Sequence, residues 1–218
     1  MSTSQTPSRP YVVVHVAVSL DGCTTGFPAD VGRFYSLLPT WREDVTLTGA
    51  ETVLTQEQAL ASAPRPGPTS GAPLLAVVDS RRRIREWEAL RDCGYWSGVL
   101  ALRAGSTPSD EGMSVPELAA GSERVDLVEV LSRLSSQVGA RVVRVDSGGG
   151  LTGVLLQRGL VDEVSLLIHP CFTSAAEPHR WYGSEPAPSA QLTVLAVEML
   201  EPNLVWLRYR AGGRAPDQ

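Results

Sequence analysis

Short apolar runs rich in β-branched residues alternate with stretches of helical spacing along most of this 218-residue chain. No other feature narrows the fold as far. Strands separated by helices pair mostly in parallel, and a parallel sheet has to be covered on both faces. Tyr11 to Ser19 (YVVVHVAVS) reads as a buried strand that stops at Asp21-Gly22. Phe34 to Glu43 is a short helical stretch disturbed by Pro39, and Asp44 to Thr48 is a second strand. Thr52 to Ala61 reads as a helix with Thr52 as its cap. Ala63 to Gly71 (APRPGPTSG) is a surface loop, and Leu74 to Asp79 and Gly98 to Arg103 are strands. Val125 to Val138 repeats apolar residues at helical spacing, and Arg141 to Val145 is the next strand. Leu151 to Arg158 is a helix closed by Gly159 in the left-handed cap position. Glu163 to His169 is a strand, and Gln191 to Leu200 with Leu204 to Arg210 form a closing antiparallel pair around Glu201-Pro202-Asn203. The expected fold is therefore α/β, with a central, mostly parallel sheet flanked by helices and an antiparallel C-terminal edge. One domain over residues 10–211 is expected, between flexible tails at 1–9 and 212–218.

Composition removes several function classes. A formal charge of −5 argues against a nucleic-acid partner, since such domains carry a basic stripe. No apolar run reaches the ~20 residues of a spanning helix, so no membrane partner is expected. Residues 1–10 are polar and lack the apolar core of a secretory signal. The three widely separated cysteines suit a reducing, cytoplasmic setting. With no Cys-x-x-Cys and three histidines, no metal site is expected, and a zinc-dependent nucleobase deaminase is excluded. The chain also lacks G-x-G-x-x-G, a Walker P-loop and G-x-S-x-G. A standard dinucleotide-binding dehydrogenase, a P-loop NTPase and an α/β-hydrolase all lose ground.

Ligands of open α/β sheets bind beyond the carboxyl ends of the strands. Four strand ends carry suggestive residues. In Asp146-Ser147-Gly148-Gly149-Gly150-Leu151, consecutive glycines let a ligand approach the backbone where a helix begins, which suits a phosphate. The alternative is a plain strand-to-helix turn. Thr52, after Thr48-Gly49-Ala50-Glu51, is either a cap or an anion contact. Asp79-Ser80 leads into Arg81, Arg82, Arg83 and Arg85, a run that is either a solvated face or an attraction for the 2′-phosphate of NADPH. Ser19-Leu20-Asp21-Gly22 is an acid–glycine turn, weak evidence alone. His15 interrupts an apolar strand and is either a hydrogen-bonded core residue or a site residue.

Taken in order, RPYVVVHVAVSLDG, DVTLTGAETVL, LLAVVDSRRRI and RVVRVDSGGGLTGVLLQRGLVDEVSLLIHP resemble the pyrimidine reductases of riboflavin biosynthesis. The likeness spans about Arg9 to Phe172. It implies a dihydrofolate-reductase-like fold, a homodimer, and NADPH as the cofactor for reducing the ribosyl group of an aminopyrimidine ribose phosphate. By position, it implies cofactor contacts at Thr52, Gln56 and Ser80, and along Gly148, Gly149, Gly150, Leu151, Thr152 and Gly153; the arginine run itself allows a contact from Arg81. It places Asp146 where the family has an acid that contacts the substrate, and His15 where relatives have Lys or Asn. His15, Asp21 and Asp146 are thus the candidates for orienting the substrate or supplying a proton.

The chain departs from the family after Ser-Leu-Asp-Gly, where it reads Cys23-Thr24-Thr25-Gly26-Phe27-Pro28. It departs again beyond Thr52, where Gln56-Glu57-Gln58 and the Pro-rich loop stand. Those family segments help hold the substrate's phosphate. Two alternatives to the riboflavin-type substrate stay open: a reductase of another heterocycle or pterin, and a non-catalytic NADPH-binding relative.

Overall fold

The computed structural model describes residues 9–110, 112–177, 179–183 and 191–212. Apart from Arg9 and Gly212, the expected tails lie outside the described residues. In chain order the elements are β1 (Tyr11–Ser19), α1 (Val31–Ser36), a 3₁₀ turn (Leu38–Thr40), β2 (Val45–Gly49), α2 (Ala50–Leu54) and α3 (Glu57–Ala61). They continue with β3 (Leu74–Val78), α4 (Trp87–Asp92), β4 (Gly98–Arg103), β5 (Glu117–Ala119) and α5 (Leu127–Val138). The chain closes with β6 (Val142–Val145), α6 (Gly149–Gln157), β7 (Glu163–His169), β8 (Leu192–Leu200) and β9 (Leu204–Ala211). Contacts divide it into two units, one of residues 1–10 and 43–143, the other of residues 11–42 and 144–218.

In the first unit β2, β3, β4 and β5 pair in parallel, in the order β5-β4-β3-β2. Leu75, Val77, Val99 and Ala101 pack with Ala50, Val53, Ile84, Trp87 and Leu90 in one core cluster. Helix α5 starts where the Asp126 carboxylate accepts the N–H groups of Val128 and Glu129 and stops at left-handed Gly139. Its buried face is Leu127, Val130, Leu131 and Leu134. The single helix expected over 52–61 is instead α2 and α3. The Thr55 hydroxyl bonds the Thr52 carbonyl, and the Gln56 N–H closes on Val53, tightening the chain between them. Thr52 lies inside α2, whose cap position is Gly49.

In the second unit β1 runs parallel to β7, while β9 is antiparallel to both β7 and β8, giving the order β1-β7-β9-β8. The expected mostly parallel sheet with its antiparallel C-terminal edge is the one observed. Helix α1 begins before the expected stretch, because the Asp30 side chain caps it by accepting the Arg33 N–H. The Asp162 carboxylate accepts the Val12 N–H, and its carbonyl accepts the Ala211 N–H, tying the start of β1 to the end of β9.

The two faces of β7, β9 and β8 differ. On one, Glu163, Ser165 and Trp206 are buried. On the other, the register sets Leu166 beside Leu207 and Ile168 beside Val205, and beyond them Val194, Val197 and Met199. Met199 is 85% exposed and Val197 60%. Contiguous apolar exposure of this kind marks an interaction surface more often than bare solvent contact. Among the described residues no helix is long and apolar enough to cross a membrane.

Candidate active site

His15 is sealed in the second unit at 1% exposure. Its ring stacks on Phe34 with centroids 4.3 Å apart and meets Trp41 at 4.9 Å. The Phe34 carbonyl can only accept, so His15 Nε2, 3.3 Å away, carries the proton. His15 Nδ1 then accepts from the Ser165 hydroxyl at 2.9 Å, and the Trp206 indole N–H donates to the same oxygen at 2.8 Å. Burial pushes the imidazole down to about 4; the bond to Phe34 opposes this, and the positive charge of Arg144 adds to it. Beside it lies a second knot. Buried Glu163 accepts from Trp41 Nε1 at 2.9 Å, Tyr11 Oη at 3.1 Å and Arg208 Nε at 2.7 Å. Burial and then the Glu163 charge raise the Tyr11 phenol well above its ordinary value.

Asp21 ties two loops together. Its carboxylate accepts the Thr173 N–H at 3.1 Å, and the Cys23 thiol lies 3.5 Å from it. Hydrogen bonding from Ser19, with further help from Thr173, holds the Asp21 carboxyl below its ordinary range. Burial and the neighbouring Asp21 raise the Cys23 thiol. Thr24 bonds the His179 carbonyl, Thr173 the Thr25 carbonyl, and Ser174 the Gly26 carbonyl. The loop after β1 and the loop after β7 are thus laced over residues 21–26 and 173–180.

Asp146 stands at the end of β6, half-buried, with one carboxylate oxygen 3.1 Å from Nη1 of Arg144. The glycines that follow divide by position. Gly149 and Gly153 are buried: a Cβ on Gly149 would collide with the Arg180 carbonyl and lie 2.5 Å from the Gly183 nitrogen. A Cβ on Gly153 would lie 2.5 Å from the Tyr182 carbonyl oxygen. Gly148 and Gly150 are exposed, with nothing within 4 Å of such a Cβ. Helix α6 starts at Gly149, two residues earlier than expected, so its first N–H groups belong to this rim. Leu151 is half-buried, while Thr152 is fully buried and bonds the Ser147 carbonyl. The open pair Gly148 and Gly150 leaves the backbone accessible at the start of α6; the closed pair packs against the segment Arg180–Gly183.

The remaining candidates lie in the first unit. Gln56 is exposed beyond α2, and half-buried Ser80 and exposed Arg81 begin the turn after β3, where Asp79 accepts the N–H groups of Arg83 and Ile84. Below that turn lies a cavity of about 230 Å³ lined by Arg82, Arg85, Arg103, Glu117, Trp87 and Met113, among others. Glu117 holds Arg82 at 2.6 Å and Arg103 at 3.1 Å. Arg82 Nε is buried without a hydrogen-bond partner among the described residues. Sequence reasoning passed over Arg103, Glu117, Arg144 and Arg180–Gly183. Only Arg144 left a signal, as a charge inside the apolar run Arg141 to Val145.

The family model described as the RibD C-terminal domain matches residues 10–206. The 2,5-diamino-6-ribosylamino-4(3H)-pyrimidinone 5′-phosphate reductase of Methanothermobacter thermautotrophicus is 30% identical over 175 residues, 74% of this chain and 78% of that protein. The riboflavin biosynthesis reductase Rib7 of Saccharomyces cerevisiae superposes with a TM-score of 0.69 at 20% identity, covering 97% of this chain and 93% of that one. Acinetobacter baumannii RibD gives a TM-score of 0.68 at 21% identity over 94% of this chain, which spans 58% of the RibD chain. Dihydrofolate reductase from Enterococcus faecalis shares the fold at a TM-score of 0.52 and 8% identity, over 93% of this chain and 97% of its own.

Proposed function

Because the chain belongs to the RibD C-terminal domain family, we propose that it is an NADPH-dependent reductase acting on a ribosylaminopyrimidine phosphate, as in riboflavin biosynthesis. The observation that carries this reading is the exposed pair Gly148 and Gly150 at the start of α6, in a chain 30% identical to such a reductase. Helix N-termini favour phosphate through unpaired N–H groups and the helix dipole. In the second unit Gly148, Gly150 and Leu151 line the phosphate contact, with Gly149, Thr152 and Gly153 holding its shape. In the first unit Thr52, Gln56, Ser80 and Arg81 are the proposed cofactor contacts. Arg82 and Arg85 are further candidates for the 2′-phosphate, supported by the cavity they line.

When bound, NADPH would supply a hydride for the sugar carbon C1′, whose bond to the ring oxygen O4′ opens, with that oxygen taking a proton from solvent to become a hydroxyl. Such a reduction needs positioning and charge stabilisation rather than a protein nucleophile. Asp146 accepts hydrogen bonds from the substrate. Asp21 keeps the loops beyond β1 and β7 in place, and neutral His15 fixes the Phe34 wall. The protein acts as a homodimer in the cytoplasm. The bare apolar face of β7, β9 and β8 supports the dimer, and light scattering that finds a monomer at working concentration would refute it.

The first test is a fluorescence titration with NADPH and, separately, NADH. We expect clear preference for NADPH, then its oxidation on addition of a ribosylaminopyrimidine phosphate. Binding of neither cofactor would end the reading.

A second reading keeps the chemistry and changes the substrate to another heterocycle or a pterin. The loop Cys23–Pro28, laced to residues 173–180 where the family has a substrate-phosphate segment, favours it. Turnover with a pteridine and none with the pyrimidine would select this one. Tight NADPH binding without turnover of either would mark a non-catalytic relative.

A further inference from the structure

A charged side chain is expensive to bury, and Arg144, at 1% exposure, is the largest fully buried side chain among the described residues. Strand β6 otherwise reads Val142, Val143 and Val145, and an aliphatic residue would fill the position without that cost. Arg144 and Asp146 are two residues apart in an extended segment and so project to the same side. The guanidinium Nη1 lies 3.1 Å from Asp146 Oδ2, while the Asp146 side chain keeps 29% of its surface exposed. A cation walled into the sheet thus grips one oxygen of an acid at the rim, immediately before the Ser147–Gly150 turn. The same cation is felt at His15, whose two ring nitrogens are committed to Ser165 and Phe34.

We propose that Arg144 is the positioning residue for Asp146: a buried guanidinium that sets the direction of the carboxylate toward a ligand presenting hydroxyl or amine donors. This rests on the reductase reading above, in which the donors are those of a ribosylaminopyrimidine. A buried guanidinium attracts a carboxylate oxygen strongly where water does not screen the pair, so Arg144 fixes which way the half-buried Asp146 side chain faces. The chemistry asked of Asp146 is acceptance of hydrogen bonds. It does so only if its torsion angles are fixed before the ligand arrives.

The test compares Arg144→Met, Arg144→Lys, Asp146→Asn and the double variant Arg144→Met/Asp146→Asn. Loss of the buried ion pair that holds one Asp146 oxygen should raise KM for the ribosylaminopyrimidine phosphate roughly tenfold or more in Arg144→Met. NADPH affinity should stay within about twofold, because uniform loss of the fold would weaken both ligands together. Arg144→Lys should recover part of the KM, and the double variant should be no worse than the poorer single one. Unchanged KM in a folded Arg144→Met protein, or additive effects in the double variant, would overturn the proposal. If Arg144→Met fails to fold, Arg144→Lys alone decides, by a rise in KM or its absence. A crystal structure of Arg144→Met or Arg144→Lys supplies a readout independent of activity. The Asp146 side chain should leave its present rotamer, and retention of that rotamer would refute the idea. Absence of turnover in the unaltered protein would instead count against the reductase reading, leaving the rotamer result to judge Arg144.

Discussion

The sealed polar cluster under α1 and the glycine rim at the start of α6 belong to the same unit and handle backbone and side-chain polarity in opposite ways. Under α1, His15, Ser165 and Trp206 form a directed chain of hydrogen bonds, and Glu163 is held by three donors. A buried group with all its partners in place fixes geometry. At the rim, Gly149 and Gly153 are pressed against another segment, while Gly148 and Gly150 face open space. The cluster is committed to the protein itself; the rim leaves part of its backbone open. Burial together with partners, rather than residue type, separates scaffold from site.

Breaking the sealed side should cost the most. Glu163→Ala strands the Arg208 guanidinium, the Trp41 indole and the Tyr11 hydroxyl, and removing one member of a buried charged set costs about 3–5 kcal/mol. Denaturant unfolding should show that loss, and a change below about 1 kcal/mol would mean the site is hydrated and relaxed.

The next effect is pH-dependent. An unfolded imidazole titrates near 6.5 and the folded His15 at about 4, so between those values the unfolded chain binds the additional proton. The contribution of neutral His15 is complete above the unfolded value and is lost as pH falls through the folded one. Its size is of order 3 kcal/mol. His15→Gln should flatten stability between pH 4 and 6.5 relative to the unaltered protein. An unchanged acid limb would place the dependence on other groups.

Within the glycine turn the two pairs should separate. Gly149→Ala forces the Arg180 and Gly183 backbone to move, and such overpacking costs about 1–3 kcal/mol. Gly150→Ala meets no atom and replaces glycine in a helix, so stability should hold or rise by about 1 kcal/mol at most. Its NADPH affinity should nevertheless fall, because the added methyl occupies the open rim. Equal melting temperatures for the two variants would erase the distinction drawn here.

Much of this was legible in the sequence, for identifiable reasons. Strands β1, β4 and β7 are found at their expected limits, because short, mostly apolar runs bounded by turn residues leave little choice. Helix α4 and strand β5 escaped, because six and three residues are too few to show a period. The glycine turn after β6 was visible as a candidate. The division within it was not, because Arg180–Gly183, which fills one side, lies in a segment with no periodicity of its own. The arginine run 81–85 looked uniform, yet Arg82 is gripped by Glu117 and Arg83 by Glu51, while Arg85 faces the cavity. Sequence spacing reports which residues share a face, and only the partners decide what that face is for.

The lacing of residues 21–26 to 173–180 also bears on how such a protein can change over time or by design. Because Gly149 rests against the same stretch that Thr24 and Asp21 tether, three separate parts of the chain behave as one heritable block. Transplanting the loop after β1 from a relative, in search of another substrate, would succeed only if residues 173–183 and the glycine turn travelled with it.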